Sequence, residues 1–289
     1  MTTQTWSSVL DHTSDAGFRA WGAEIGTNFT TVGLVNTADT GQINWTTVTR
    51  PGTNTSGGYE IWRFADSSLY MKIEYGTGNS AAVPQMWVTV GTGSNGSGTI
   101  TGQTSTRGVW TTGTAVNSTT TVYTSYLCRL ADAISLQWKV LANAGSYLFG
   151  LLGVGKTVDG TGAATTTGYG VLRGNTTSTN VSFQSVRTIS TAVTYTDSQV
   201  FSVIPGSPAS SIDASSQYQA YEIWMNTPSV TPFNWANVVV LSDIARGFTF
   251  PVAMVGSTTH TYMSVGQLAS SGGVGAYNAT YASLGVIYE

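Results

Sequence analysis

The chain has 289 residues and a net charge of −3, and only 9% of its residues are charged, against roughly 25% in ordinary soluble domains. Because 41% of the residues are hydrophobic, a large core can form, which excludes disorder as the main state. The single cysteine excludes an intrachain disulfide framework and a thiolate zinc site. The negative charge balance indicates no nucleic-acid partner, and the longest nearly apolar run, residues 148–155, is too short for membrane insertion.

The first predicted element is a helix over residues 14–33. Ser14 is a suitable N-cap, Asp15 suits the positive end of the helix dipole, and Gly33 is a natural stop. An apolar stripe with helical spacing follows the cap and consists of Phe18, Trp21, Ile25, Phe29 and Val32. Three glycines inside the helix, Gly17, Gly22 and Gly26, each weaken it by about 0.5–1 kcal/mol relative to alanine, so the stripe must dock on something.

Two docking surfaces are open to that aromatic stripe. One is the remainder of the same chain, and the other is the same helix in neighbouring subunits, since residues 18, 25 and 32 repeat at seven. In the second case the five stripe residues are candidates for an assembly interface. We therefore treat residues 1–38 as an N-terminal helical docking segment.

After residue 39 the pattern changes to short runs rich in Val, Ile, Thr and aromatic residues between turn residues. The predicted strands are 42–48, 59–64, 69–75, 84–90, 120–129, 134–141, 147–154, 169–173, 180–187, 190–195, 199–204, 219–225, 236–241, 248–255, 260–265 and 283–288. No helical pattern separates them, so the predicted fold class is all-β: an antiparallel β-sandwich or jelly roll, one large or two stacked modules, preceded by a single helix.

A repeated four-residue sequence suggests how the β region is divided. The sequence Tyr-Glu-Ile-Trp occurs at residues 59–62 and again at 221–224. Alternation places Tyr and Ile on one face of each strand and Glu and Trp on the other. If the two copies are corresponding strands, residues 39–190 form one β-sandwich module, and 191–289 form a second module or a continuation of the first.

Two long stretches are almost free of charge. Arg107 is the only charged residue between Glu74 and Arg129, and none lies between Arg246 and Glu289. Soluble sheets normally protect their edges with lysine and other charges. Neutral Thr- and Ser-rich strands therefore favour a subunit of a multichain assembly over a free monomer.

Two glycine-rich segments match nucleotide-binding patterns by spacing alone. Residues 150–157 (GLLGVGKT) fit a phosphate-binding loop, and residues 91–96 (GTGSNG) fit a dinucleotide fingerprint. Both chemistries need a helix directly after the glycines, and turn or strand residues follow in each case. We therefore expect no cofactor, with Lys156 near a hairpin end and residues 91–96 in a hairpin loop.

No arrangement of catalytic or metal-binding residues stands out. The chain has two histidines and no clustered carboxylates, so we expect no catalytic residues, no metal site and no enzymatic activity. Glycan hydrolysis would need two acids at working distance, for which Asp66, Glu74, Asp132 and Asp159 are present. Four tryptophans are candidates for stacking on sugar rings: Trp62, Trp87, Trp110 and Trp138. Cys128 is expected to be a small strand residue.

Five short segments in the first third of the chain, taken together, resemble a known protein family. They are residues 18–24 (FRAWGAE), 32–45 (VGLVNTADTGQINW), 58–64 (GYEIWRF), 72–76 (KIEYG) and 87–93 (WVTVGTG). Together they resemble structural proteins of tailed-bacteriophage virions, over roughly residues 1–110. The remainder is similar only in its Thr-, Gly- and Ser-rich strands. The resemblance implies a role in an assembled particle without catalysis, and it carries no active-site residues.

These observations combine into one main hypothesis and two alternatives. The main one is a homo-oligomeric, most simply trimeric, structural subunit of a phage tail, baseplate, neck or appendage, whose partners are its own copies and other virion proteins. The alternatives are a host-attachment module that binds a host surface glycan and a capsid decoration protein. Because Thr2 to Thr5 lack signal-peptide features, we expect synthesis in the bacterial cytoplasm and localisation in the virion. So few charges also predict a stability that depends little on pH or salt.

Overall fold

The structure is a computed structural model. It describes residues 1–9, 11–65, 68–78, 83–104, 106–108, 122–142, 146–158, 164–174, 181–188, 194–196, 202–203, 220–227, 230–242, 249–253, 259–267 and 282–287. Side chains are described up to residue 138, except at 107 and 108, and beyond that only at 152–156, 168–171, 249, 261 and 262.

One helix and twenty strands make up the regular structure of these residues. The helix is α1, Asp15–Thr31. The strands are β1 Thr2–Val9, β2 Leu34–Asn36, β3 Thr55–Phe64, β4 Tyr70–Thr77, β5 Pro84–Gly91, β6 Gly93–Ser94, β7 Ile100–Thr101, β8 Arg107–Gly108, β9 Val122–Leu130, β10 Ala133–Ala142, β11 Ser146–Val158, β12 Ala164–Gly174, β13 Val181–Thr188, β14 Thr194–Thr196, β15 Ser202–Val203, β16 Ala220–Thr227, β17 Val230–Ser242, β18 Thr249–Ala253, β19 Thr259–Gln267 and β20 Ala282–Ile287.

Helix α1 begins and ends where the sequence predicts. The Ser14 side chain accepts a hydrogen bond of 3.0 Å from the backbone N–H of Gly17, which satisfies one free donor of the first turn. After the last turn, Gly33 has a φ of +87°, a conformation that glycine adopts without steric cost. The predicted cap and stop are both confirmed.

The glycines inside α1 are explained by close approach. A Cβ at Gly22 would lie 1.9 Å from Cη2 of Trp45, and a Cβ at Gly17 would lie 1.7 Å from the backbone oxygen of Asp11. Both distances are far below van der Waals contact. The helix therefore gives up intrinsic stability so that an indole ring and a backbone segment can pack directly against it.

A five-stranded antiparallel sheet lies against one side of the helix. Its strand order is β2-β3-β4-β5-β8. In β4 the buried residues Met71, Ile73 and Tyr75 alternate with the half-buried Tyr70, Lys72 and Glu74. This period of two gives the sheet an inner, apolar face and an outer, mixed face.

A larger antiparallel sheet contains thirteen of the described strands. Its main path is β1-β9-β10-β11-β17-β20-β19-β18, with β12 to β16 attached at its side. The first strand of the chain thus pairs with the ninth, from Thr2 opposite Arg129 to Val9 opposite Val122. Strand β14 pairs with β13, and strands β15 to β20 join the same sheet through Val158 and Asn234. Whether residues 191–289 form a separate module stays a prediction.

The helix and the inner faces of both sheets share one hydrophobic core. Phe29 of α1, Met71 and Val88 of the small sheet, and Leu136 and Val154 of the large sheet belong to the same buried cluster. Burial of this continuous apolar surface is the main stabilising contribution. Over the described residues the fold is therefore all-β and antiparallel, with a single helix near the N-terminus, as predicted, and two sheets that share one core fit the predicted sandwich.

Two local predictions are wrong. Residues 2–9, which we assign to the helical docking segment, form strand β1 ahead of the helix. Residues 42–48 contain no strand, and residues 45–47 form a turn, because the side chain of Asn44 accepts a hydrogen bond of 2.9 Å from the backbone N–H of Thr46. This local bond competes with strand pairing, and the turn carries Trp45 onto the helix.

Candidate assembly interface

Strand β1 is one edge strand of the large sheet in the described part of the chain. There it pairs with β9 alone, along its whole length. Its sequence, TTQTWSSV, contains no charged residue, no proline and no glycine. An edge strand leaves one row of backbone N–H and C=O groups without a neighbouring strand. These eight residues therefore present a regular, neutral edge to which another strand can add.

The face of β1 that points away from the core is neutral as well. Val9 and Val122 lie directly opposite each other, and they are 52% and 51% exposed. Next to them, the hydroxyl groups of Ser7 and Thr124 are hydrogen bonded at 2.9 Å. An exposed valine pair beside hydroxyl side chains is a surface that a second protein can cover without burying any charge. We call β1 and this valine pair the β1 edge.

The other face of β1 is fixed to the helix. Ser8 donates a hydrogen bond to the carboxylate of Glu24 on α1, and the hydroxyl of Tyr123 on β9 donates to the same carboxylate at 2.7 Å. Burial, with the nearby charge of Glu24, raises the pKa of Tyr123 far above its usual range, so the hydroxyl keeps its proton. The edge is thus held in place before any partner arrives.

The predicted docking stripe lies in the core of its own chain. Phe18, Ile25 and Phe29 are 0% exposed, Val32 is 1% exposed and Trp21 is 3% exposed. Side chains so deeply buried cannot offer a surface to a sister chain. Of the two docking surfaces considered, the stripe therefore packs on the β sheets of its own chain. The assignment of these five residues to an assembly interface is corrected accordingly.

The four tryptophans proposed for sugar stacking separate into distinct environments. Trp62 is 3% exposed and Trp138 is 0% exposed, so neither ring is accessible to a sugar. Trp87 on β5 is half-buried, so it is less enclosed than Trp62 and Trp138. Trp110 lies outside the described residues.

A buried carboxylate, Glu60, connects three aromatic side chains. It accepts hydrogen bonds from the indole N–H of Trp45 at 2.9 Å, from that of Trp62 at 3.2 Å and from the hydroxyl of Tyr75 at 2.8 Å. Burial raises the pKa of Glu60 above its usual value, although the three donors work in the opposite direction. The sequence predicted Glu60 and Trp62 on one face of β3, and this is confirmed. It gave no indication of Trp45 and Tyr75, which reach Glu60 through tertiary packing.

His12 is a second buried titratable group. Its ring meets those of Phe18 and Trp21 edge to face, and its Nε2 lies 3.2 Å from the hydroxyl oxygen of Thr77. Since that hydroxyl donates to the backbone oxygen of Pro51, Nε2 is the donor to Thr77. Burial, with the positive charge of Arg50, lowers the pKa of His12 to about 4. The imidazole is therefore neutral in the folded protein at pH 7.

Neither glycine-rich motif forms a nucleotide site. Residues 150–157 lie entirely within strand β11, and the ammonium of Lys156 is 3.2 Å from the carboxylate of Asp132. Residues 91–96 contain the end of β5, strand β6 and the start of the turn that leads to β7. The interpretation of both matches as strand and hairpin residues is confirmed, because no helix N-terminus follows the glycines.

The acids considered for glycan hydrolysis do not form a pair in the described residues. Glu74 lies 3.7 Å from the ammonium of Lys72 on the small sheet, and Asp132 is paired with Lys156 on the large sheet. Asp66 and Asp159 lie outside the described residues. Among the described residues, no three His, Cys, Asp or Glu side chains lie close enough to share a metal ion.

Two further features concern single elements. Cys128 is 3% exposed on β9, and burial raises the pKa of its thiol to about 12, which confirms the prediction of a small strand residue. In the described part of the chain, no helix has both the length and the apolar character needed to cross a bilayer.

Comparison with known proteins adds no relative. No protein-family model matches the chain, no curated protein matches its sequence, and no solved structure matches its fold. The function is therefore argued from the sequence and from the β1 edge.

Proposed function

We propose that this chain is a structural subunit of a tailed-bacteriophage virion that acts by assembling with copies of itself. The observation that carries the proposal is the β1 edge: a regular edge strand without a single charge, next to an exposed valine pair. Proteins that remain monomeric usually interrupt such an edge with lysine, proline or a bulge. The resemblance of residues 1–110 to virion proteins supports a virion as the assembly to which the chain belongs.

The contact that we propose is strand addition between subunits. Backbone hydrogen bonds along β1 supply affinity, and burial of Val9 and Val122 adds an apolar contribution. A contact between β1 and a different edge of the next subunit closes into a ring when the rotation between neighbouring subunits divides a full turn. The trimer remains the predicted size of that ring.

The mass of the purified protein in solution tests the assembly. We expect a stable multiple of 30.3 kDa by light scattering on a sizing column. Thr5→Lys combined with Ser7→Lys places two charges on the edge strand and should give monomers with an unchanged circular dichroism spectrum. The matched control is Ala20→Lys with Thr27→Lys, since both positions are exposed on α1. A monomeric wild type, or an edge variant that assembles like the control, contradicts the proposal.

A separate experiment tests whether the assembly is a virion. Particles produced from the genome that encodes this chain should contain it as a stoichiometric component by quantitative mass spectrometry after gradient purification. Its absence from purified particles would refute the virion role, even if the protein forms oligomers in solution.

A further inference from the structure

The outer face of the small sheet carries a row of three side chains that neither the core nor the β1 edge uses. On neighbouring strands, Glu74 lies directly between Tyr59 and Trp87. Adjacent strands are about 4.8 Å apart, so the row extends over roughly 10 Å. It combines an indole, a carboxylate and a phenol on a rigid antiparallel sheet.

The ring of Trp87 packs against Gly76. Trp87 is the one residue of β5 that is half-buried rather than buried. A Cβ at Gly76, on the neighbouring strand β4, would lie 2.7 Å from Cζ3 of its ring. The absence of a side chain at Gly76 lets the indole lie close to the sheet. The ring thereby packs closely on β4, while the residue as a whole is only half-buried.

The charges beside Trp87 balance each other. The ammonium of Lys72 lies 3.7 Å from the carboxylate of Glu74 and 4.5 Å from the centre of the Tyr59 ring. The side chains of Lys72 and Glu74 are 21% and 30% exposed, so both can still reach a ligand. Tyr59 is itself fixed, because its hydroxyl donates to the backbone oxygen of Thr40 at 2.6 Å.

From this arrangement we infer a carbohydrate-binding site for a neutral oligosaccharide, centred on Trp87, Glu74 and Lys72. The indole offers an apolar surface for the C–H face of a sugar ring. The carboxylate accepts hydrogen bonds from hydroxyl groups, and the ammonium donates to them. Because the two charges compensate each other, the site favours a neutral sugar over an acidic one. This inference does not depend on assembly through β1.

The first test is a titration of the full-length protein with three neutral hexasaccharides, maltohexaose, cellohexaose and chitohexaose, followed by tryptophan fluorescence and saturation-transfer NMR. We expect saturable binding of at least one of them and no binding of the acidic oligomer hexagalacturonate. No saturation with any of the neutral sugars up to 10 mM overturns the inference, as does tighter binding of hexagalacturonate.

Variants locate the site. Trp87→Ala should weaken binding at least about tenfold, Trp87→Tyr should restore part of it, and Glu74→Gln should weaken it less than Trp87→Ala. Trp138→Phe is the control, since Trp138 is 0% exposed on β10 of the other sheet and the variant should bind like the wild type. Thermal melting verifies that each variant is folded. If folded Trp87→Ala binds as tightly as Trp138→Phe, the site is elsewhere and the inference fails.

Discussion

The indole ring of Trp45 lies against helix α1 at Gly22, where a Cβ would be only 1.9 Å from the ring. From this position its N–H reaches the carboxylate of Glu60 at 2.9 Å. The turn that carries Trp45 is held by a second contact, from the side chain of Arg19 to the backbone oxygen of Val48 at 2.6 Å. A glycine in the middle of a helix thus determines where an irregular segment attaches to the core.

Gly22→Ala is expected to destabilise the protein, although alanine is the better helix former. The gain in helix propensity is about 1 kcal/mol, but the added methyl group displaces Trp45 and disturbs Glu60, and overpacking costs about 1–3 kcal/mol. We expect a net loss in the free energy of unfolding, measured by urea denaturation.

The controls for Gly22→Ala separate packing from helix propensity. Thr27→Ala, at an exposed position of the same helix, should change stability by less than about 0.5 kcal/mol. In a Trp45→Leu background, Gly22→Ala should be neutral or stabilising, since the ring that it displaces is absent. Equal destabilisation in both backgrounds would argue against the contact with Trp45 as the cause.

Glu60→Gln should be costly because glutamine has only one acceptor oxygen. If that oxygen serves Trp62 and Tyr75, the amide N–H groups face the indole N–H of Trp45, and one buried donor is left unsatisfied. The expected loss in the free energy of unfolding is about 1–3 kcal/mol. Glu74→Gln, on the outer face, is the control and should cost less than about 1 kcal/mol. Similar losses for the two variants would contradict the role of Glu60.

The same variant tests the pKa of Glu60. Because burial raises the folded pKa above its ordinary value of 4.5, the folded state binds more protons than the unfolded state between these two values. Protonation of Glu60 therefore increases the free energy of unfolding as the pH falls from the folded pKa to the unfolded one. The increase should be absent from Glu60→Gln when both proteins are unfolded with urea at a series of pH values.

His12 contributes a pH dependence of the opposite sign, which departs from the weak pH dependence that the low charge content predicts, because burial of this one group outweighs the scarcity of charges. Its pKa falls from 6.5 in the unfolded chain to about 4 in the folded protein, so its contribution to stability is complete above 6.5 and is lost as the pH falls toward 4. The loss amounts to about 3 kcal/mol. Comparison with His12→Phe isolates it: the difference in unfolding free energy between wild type and variant should shrink steadily from pH 7 to pH 4. A constant difference would show that His12 titrates normally.

Cys128 should be unreactive in the folded protein. Its thiol is 3% exposed and its pKa is raised to about 12, so the nucleophilic thiolate is scarce at pH 8. We expect no reaction with Ellman's reagent until the protein is unfolded in guanidinium, after which one thiol per chain reacts. Rapid labelling of the native protein at one thiol per chain would contradict the buried position.

The sequence predicts those parts of the fold in which hydrophobic periodicity is strong. The cap at Ser14, the stripe of α1 and the longer strands from β3 onward follow from local pattern, whereas the two-residue strands β6, β7 and β8 were not predicted. Strand β1 escaped prediction because its inward residues, Gln4, Trp6 and Ser8, include only one apolar side chain and give almost no hydrophobic contrast. The strand predicted over residues 42–48 is wrong because the side chain of Asn44 forms a turn.

The functional surfaces were less accessible to sequence reasoning than the fold. Neutral strands predict that some edge is available for assembly, but only the pairing of β1 with β9 shows which one. The stripe of α1 was a candidate interface because amphipathicity alone does not tell a helix that packs inside its own chain from one that binds a partner. Among the tryptophans, only burial separates Trp87 from Trp62 and Trp138.

The strict pairing of the first strand with the ninth also sets an order of events during synthesis. Thr2 pairs with Arg129 and Val9 pairs with Val122. The β1–β9 ladder therefore cannot form until the intervening strands have left the ribosome. Contacts this distant in sequence slow folding. During that interval β1 is a neutral strand without a partner, and when many copies are made together it can pair with the wrong chain. Co-translational chaperone binding at the N-terminus, or a low growth temperature during expression, should therefore raise the yield of correctly folded protein.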